Sequence, residues 1–252
     1  MRFTGKTAVI TGGGGVIGRA TARLLHKEGA NVVLVDHVPA ALAPVAAELG
    51  SARVLSITAD VTKADDCRAY AGKAREAFGP IDIFFNNAGI EGPAAPMAEF
   101  PEDEFARVMA VNVTGVFLGL KYALPVMRDG GSVIITSSTA GLRGAANFTA
   151  YTASKHAVVG LMRTAAIENA RRRIRVNTIH PAMVDSEMMR RIERMRQGNK
   201  SIDEVQQEFR NRIPLGRYIK PEEIADTVAH LASDASSMVT GTQVLVDGGS
   251  ML

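Results

Sequence analysis

The sequence predicts one α/β domain, a doubly wound seven-stranded parallel sheet with helices on both faces. Short β-branched runs alternate with longer Ala/Leu-rich stretches of helical spacing along the chain, and parallel strands need such crossovers. The runs are apolar throughout rather than alternating, which calls for a sheet covered on both sides. The 252 residues are 46% apolar and 22% charged, with no linker, repeat or low-complexity segment, so a single large core is expected over 1–252.

The strands are expected at Thr7–Thr11, Asn31–Val35, Arg53–Ile57, Ile81–Phe85, Ser132–Thr136, Arg175–Ile179 and Thr242–Val246. Helical spacing fills Arg19–Glu28, Ala64–Phe78 and Ala153–Ala170. The one cysteine, Cys67, shares an apolar stripe with Tyr70, Ala71, Ala74 and Phe78 and reads as core filler. It leaves no disulfide within the chain and no thiolate metal cluster. Between the sixth strand and a helix starting near Pro221 lies a departure, Met183–Ile213, read as two amphipathic helices. Met188, Met189, Ile192 and Met195 form one stripe and Ile202, Val205, Phe209 and Ile213 the other; Gly198 and Asn199 end the first helix, and Ser201 with Glu204 makes a capping box for the second. Such an excursion is either a lid that orders over ligands, with Met188, Met189 and Met195 toward the cavity, or a permanently docked hairpin.

Charge excludes little. The net charge is +3, but 163–220 holds 14 Lys/Arg against 7 Asp/Glu. Without interleaved aromatics or a nucleic-acid motif this reads as solvated helix faces, and no nucleic-acid partner is expected. After Met1, Arg2 and Phe3 the first apolar run, Ala8–Ile10, is too short for a signal h-region. No stretch approaches the ~18 apolar residues of a membrane span, so a cytoplasmic protein without membrane contact is expected. The five histidines form no ligand cluster, no metal is expected, and His156 and His180 read as bystanders.

The first strand runs into Gly12, Gly13, Gly14, Gly15, Val16, Ile17 and Gly18, then a helix. Bare backbone there lets a pyrophosphate reach the free N–H groups of a helix N-terminus, the Rossmann-type arrangement. Asp36 ends the second strand, where a carboxylate can accept both adenosine ribose hydroxyls and repel a 2′-phosphate. No Lys or Arg follows it, which points to NAD rather than NADP. Tyr151 and Lys155 share one helix face at i,i+4, and an ammonium there, with the positive nicotinamide ring, favours the phenolate. Ser138 closes a strand 13 residues before Tyr151, where its hydroxyl can hold a substrate oxygen.

In this order the chain resembles the short-chain dehydrogenase/reductase family from Lys6 to its C-terminus. The resemblance is carried by Thr11, Gly12 and Gly18; by Asp60 and Val61; by Asn86, Asn87, Ala88 and Gly89; by Asn112, Ser138, Tyr151 and Lys155; by Asn177 and Pro181; and by Val246, Asp247, Gly248 and Gly249. It implies that Tyr151 is the general acid/base, Ser138 polarises the substrate oxygen, Lys155 grips the nicotinamide ribose, and Asn112 holds a water in a proton relay. It further implies cofactor contacts from Gly12, Gly15, Val16, Ile17 and Gly18, from Asp36, Asp60 and Val61, from Asn87, Ala88 and Gly89, and from Pro181, Val184 and Ser186. Three positions depart from the family: Val16 and Ala182 stand for glycines and Ser186 for threonine. With Val16 there, Gly14 and Gly15 become the backbone expected to meet the phosphates.

The expected activity is hydride transfer between a secondary alcohol and its ketone, with NAD(H). A 3-oxoacyl thioester reductase, with Arg128 and Arg171–Arg173 facing an acidic carrier, is one alternative; a non-catalytic NAD-binding scaffold or sensor is the other. Substrate walls are expected from Gly141–Phe148, Glu91–Pro96 and the Met-rich segment. The resemblance implies a homotetramer, for which Phe117, Leu118, Met251 and Leu252 offer apolar surface.

Overall fold

The computed structural model describes residues 1–50 and 52–252. Its seven strands are β1 (Thr7–Thr11), β2 (Asn31–Asp36), β3 (Val54–Thr58), β4 (Ile81–Asn86), β5 (Met127–Thr136), β6 (Arg175–Pro181) and β7 (Gln243–Val246). They form one parallel sheet in the order β3-β2-β1-β4-β5-β6-β7. The Rossmann-type expectation is met, and the topology switches between β1 and β4, where such sheets open a crevice at their carboxyl edge.

Side-chain alternation divides the core in two. Val9, Val33, Val35, Val133 and Ile135 point to one face, with Tyr70, Ala71 and Ala74 of α3 (Ala64–Phe78) and Val158 and Met162 of α6 (Thr149–Glu168). Ala8, Ile10, Val32, Leu34 and Ile134 point to the other, under Ala22 and Leu25 of α1 (Val16–Lys27) and Ile224 and Val228 of α9 (Pro221–Ala232). β1, β4 and β6 are buried end to end, whereas the edge strands β3 and β7 are partly open because each lacks a neighbour on one side. Cys67 is fully buried, and burial pushes its thiol up to about 11, so it is inert filler.

Two expectations change. One continuous helical run, Glu102–Val126, is long and apolar enough to cross a membrane by length and composition, although Asn112, Thr114 and Lys121 interrupt its apolar sequence. Its Val116, Leu118, Leu120 and Ala123 are spent on the core, which also removes Leu118 from the surface while Phe117 stays 46% exposed. Within that run α4 (Glu102–Met109) passes through a π turn, Ala110–Thr114, into α5 (Gly115–Ala123). The wide turn carries Asn112, a placement common at functional positions.

The excursion forms α7 (Glu187–Arg196), capped by Ser186, and α8 (Ile202–Asn211), opened by the expected Ser201–Glu204 capping box. Its stripes largely face each other: Met189, Val205 and Phe209 make a small core with Met183, Ile192 and Tyr218. Glu193 is buried inside it and accepts from Arg190 Nη1 and Gln206 Nε2, both at 2.8 Å.

At the amino edge of the sheet, Asp82 accepts from the buried Thr7 N–H at 2.9 Å and from Arg128 Nε at 2.8 Å. Asp82→Ala strands that N–H, and urea unfolding is expected to show a loss of about 1–3 kcal/mol; an unchanged midpoint would refute the pin.

Candidate functional site

The carboxyl edge of the sheet is stitched by side chains. Thr11 Oγ1 accepts from Asn87 N (2.9 Å) and Ala88 N (3.1 Å), and Asn87 Nδ2 returns to Thr11 O (3.1 Å). Asn87 Oδ1 accepts from Thr136 Oγ1 (3.0 Å), and Thr136 O accepts from Lys155 Nζ (2.8 Å). The ends of β1, β4 and β5 and the first turns of α6 are thereby tied across the switch point. A cavity of about 890 Å³ opens there, within the range of a ligand-binding site.

The glycine loop forms one wall. Gly12 and Gly15 line it with Val16 and Ile17, whose N–H groups open α1 without a side-chain cap and suit an anion. Gly18 lies behind the wall: a Cβ there would sit 2.2 Å from Gly12 O, so it serves helix–turn packing. Gly14, expected with Gly15 at the phosphates, also lines the cavity. Its N–H donates to Asp36 Oδ2 at 3.0 Å, and a Cβ would meet Ala41 at 2.5 Å. Asp36 Oδ1 accepts from Val38 N at 3.1 Å, so the carboxylate is held on both oxygens at the cavity wall. Asp60, Val61, Asn87, Ala88, Gly89, Pro181, Val184 and Ser186 also line the cavity. A Cβ-free approach at the loop, open helix N–H groups and a fixed carboxylate fit a nicotinamide dinucleotide.

Ser138, Tyr151 and Lys155 converge on the same cavity. Lys155 Nζ lies 5.5 Å from the Tyr151 ring centroid, the result of their i,i+4 spacing on α6. Lys155 is buried, and burial pulls its ammonium down to about 8. Burial pushes the Tyr151 phenol up; the Ser138 hydroxyl opposes this and the Glu91 charge adds to it. The lowering expected from the neighbouring ammonium is not among these causes, and desolvation disfavours the charged form of both groups.

Asn112 does not line the cavity. Its Oδ1 accepts from Ile90 N (2.9 Å), and its Nδ2 donates to Ile90 O (2.9 Å) and Ser154 Oγ (3.0 Å). Ser154 Oγ in turn donates to Tyr151 O at 2.7 Å. The side chain thus braces the loop after β4 against the helix that carries Tyr151. A Cβ on Gly89 would come within 3.2 Å of Asn112 Oδ1 and 3.4 Å of Lys155 Nζ, so a side chain there would crowd the point where they meet.

His180 is a residue the sequence reading missed. It is fully buried, and its Nδ1 donates to Ser138 O at 2.8 Å while Nε2 accepts from Thr178 Oγ1 at 2.9 Å. Burial pulls its pKa down, so the ring stays neutral with its tautomer set by the two partners. It holds the peptide that aims Ser138. Only its adjacency to Pro181 could have signalled this. Asn177 ties β6 to the final turns through Val239 O (2.8 Å) and Thr242 N (3.2 Å).

Met188, Met189 and Ile192 line the cavity, but Met195 is 38% exposed and faces a neighbouring cleft, one position off the inward stripe. Arg191, which lines the cavity, pairs with the buried Glu91. Ala145 and Phe148 supply the wall expected from Gly141–Phe148, and none of Glu91–Pro96 lines the cavity. Arg128 is paired to Asp82 and Arg172 to Asp129, both at the amino edge of the sheet, away from this cavity.

A family model described as enoyl-(acyl carrier protein) reductase matches residues 14–251. Levodione reductase of Leifsonia aquatica is 43% identical over 98% of this chain and 95% of its own length. Meso-2,3-butanediol dehydrogenase of Serratia marcescens is 36% identical over 99% of this chain and 96% of its own. The crystal structure of an NAD⁺-bound xylitol dehydrogenase superposes with a TM-score of 0.94 at 37% identity, covering 99% of this chain and 100% of that one.

If His180 acts through Ser138, His180→Ala should lower kcat/KM by roughly 5–100-fold, the cost of one lost buried hydrogen bond. His180→Asn, which keeps a donor, should recover most of it, and in a Ser138→Ala background the substitution should cost under about twofold. Additive losses in that cycle would reduce His180 to a packing residue.

Proposed function

The chain belongs to the short-chain dehydrogenase/reductase family, and from that premise we propose that it transfers hydride between a secondary alcohol and the matching ketone using NAD(H). The reductase of levodione and the dehydrogenases of meso-2,3-butanediol and xylitol share this reaction class. The observation that carries the reading is the convergence of Ser138, Tyr151 and Lys155 on one wall of the cavity that Gly12, Gly15 and Asp36 also line.

The nicotinamide ring supplies the hydride or accepts it; the chain supplies everything else. The Ser138 hydroxyl orients and polarises the substrate oxygen. Tyr151 gives that oxygen a proton in reduction and removes one in oxidation. Lys155, anchored by Thr136 O, would hold the nicotinamide ribose, and its ammonium beside the ring would favour the phenolate. Asn112 acts through Ser154 on the seating of Tyr151, with any relay water held beyond its side-chain amide.

Asp36 supports NAD over NADP. Its two oxygens are fixed by Gly14 and Val38 N–H groups, so a 2′-phosphate would meet a charge that cannot swing away. The α7–α8 hairpin is proposed as a cover. Its private core lets it move as one body, and Met188, Met189 and Ile192 would exclude water when it closes. Exposed Phe117 and Leu252 support assembly into a homotetramer.

Tyr151→Phe should lose at least ~10²-fold in kcat while NADH still binds by fluorescence titration; near-normal turnover would refute the proton role. A phenol held above its ordinary value stays protonated through neutral pH. Reduction should therefore be flat there and alcohol oxidation should climb with pH, a climb missing from the residual activity of Tyr151→Phe. For the cofactor, NAD should exceed NADP in kcat/KM, and Asp36→Ala should narrow the ratio by about tenfold or more; equal use by the unaltered protein would overturn the preference.

A further inference from the structure

Beside the main cavity lies a second cleft of about 410 Å³, lined by Asn147, Phe148, Met195, Arg196, Phe209 and Arg212 among others. Phe148, Arg196 and Phe209 belong to both, so the two spaces adjoin. Phe148 precedes Thr149, the first residue of α6, and stands three residues before Tyr151. The cleft therefore begins about one helical turn from the phenol.

Pairing sets two arginines of this cleft apart from its other charges. Arg190 pairs with Asp185 and Glu193, Arg191 with Glu91 and Arg217 with Glu223, and within the cleft itself Lys200 pairs with Glu208. Among the described residues, Arg196 and Arg212 have no carboxylate partner, nor do Arg194 and Arg210 of the same segment, but Arg196 and Arg212 stand together in the cleft. Their guanidinium carbons lie 5.9 and 5.7 Å from the centroid of the same ring, Phe209. Arg196 also stacks over Phe148 at 5.3 Å and donates to Ala146 O at 3.3 Å, so it is parked rather than loose. Burial first, and then the Arg212 charge, pull the Arg196 pKa below its ordinary value. Asn147 holds a left-handed backbone (φ 68°), which asparagine tolerates, and Ala95 N donates to its carbonyl at 2.9 Å, which fixes this wall of the cleft.

We propose that this cleft is a subsite for a carboxylate carried by the substrate, making the chain a dehydrogenase of hydroxy acids and reductase of oxo acids. The proposal rests on the hydride-transfer reading above. Planar guanidinium forks match a carboxylate edge to edge, and an amide beside them adds a further donor. The Phe148 and Phe209 rings suit an apolar stem joining that carboxylate to a carbonyl at Tyr151. An anion between the two arginines converts their repulsion into attraction.

The test is kcat/KM with NADH for oxo acids of increasing chain length, each against its methyl ester and a matched phosphate monoester. At one length the acid should exceed its ester by about tenfold or more, the scale of a charge-assisted hydrogen bond. Arg196→Gln and Arg212→Gln should each cut that ratio by about tenfold; Arg212 is exposed, so its variant carries little folding risk. Acid and ester equal at every length, a ratio unmoved by both variants, or preference for the phosphate would overturn the carboxylate subsite. Calorimetric titration of glutarate needs no turnover. Saturable binding lost in the double variant is expected, and its absence would overturn the subsite even if neutral ketones are reduced. Glutarate binding without turnover of any ketone would instead keep the subsite and remove the proposed reaction.

Discussion

The hydrogen bond from Lys155 Nζ to Thr136 O is the contact on which the site depends. A parallel sheet ends in carbonyls that the ladder leaves without partners, and burying them demands donors. Here Thr136 closes β5 with a carbonyl that takes a lysine and a hydroxyl that reaches Asn87, which in turn locks the end of β1. One polar chain therefore satisfies the sheet edge and sets a charged side chain 5.5 Å from the Tyr151 ring. Without it, Lys155 would be an unpaired buried ammonium, a costly state.

The same burial that makes this geometry rigid works against the proposed chemistry. Desolvation raises the Tyr151 phenol and lowers the Lys155 ammonium, so neither favours its charged form in the empty cavity. A cationic nicotinamide ring, in the proposed reaction, would favour the phenolate. His180 belongs to this logic as well. A histidine kept neutral by burial can hold the Ser138 peptide without adding a charge beside the phenol.

The hairpin after β6 shows how pairing distinguishes structure from opportunity. Its Arg190 and Arg191 are committed to Asp185, Glu193 and Glu91, and Glu193 is sealed inside the small core that joins the two helices. The Arg191–Glu91 pair ties the hairpin to the loop after β4. Among the described residues, Arg196 and Arg212 have no acid partner; Arg196 instead meets Ala146 O and the Phe148 ring, and both arginines lie against Phe209.

Local pattern carried much of this protein. Strand and helix periods are short-range properties, so the seven strands, the glycine loop with Asp36, the i,i+4 pair Tyr151–Lys155 and the Ser201–Glu204 box were legible from residues alone. What tertiary structure decided are contacts between segments far apart in the chain. Gly14 spends its N–H on Asp36, Asn112 turns from the cavity because a π turn and Ile90 claim its amide, and His180 meets Ser138 across 42 positions. The same holds for which methionine of the α7 stripe faces inward and which arginines go unpaired. No period or motif encodes those choices, because each depends on which distant donor or acceptor the fold brings within about 3 Å.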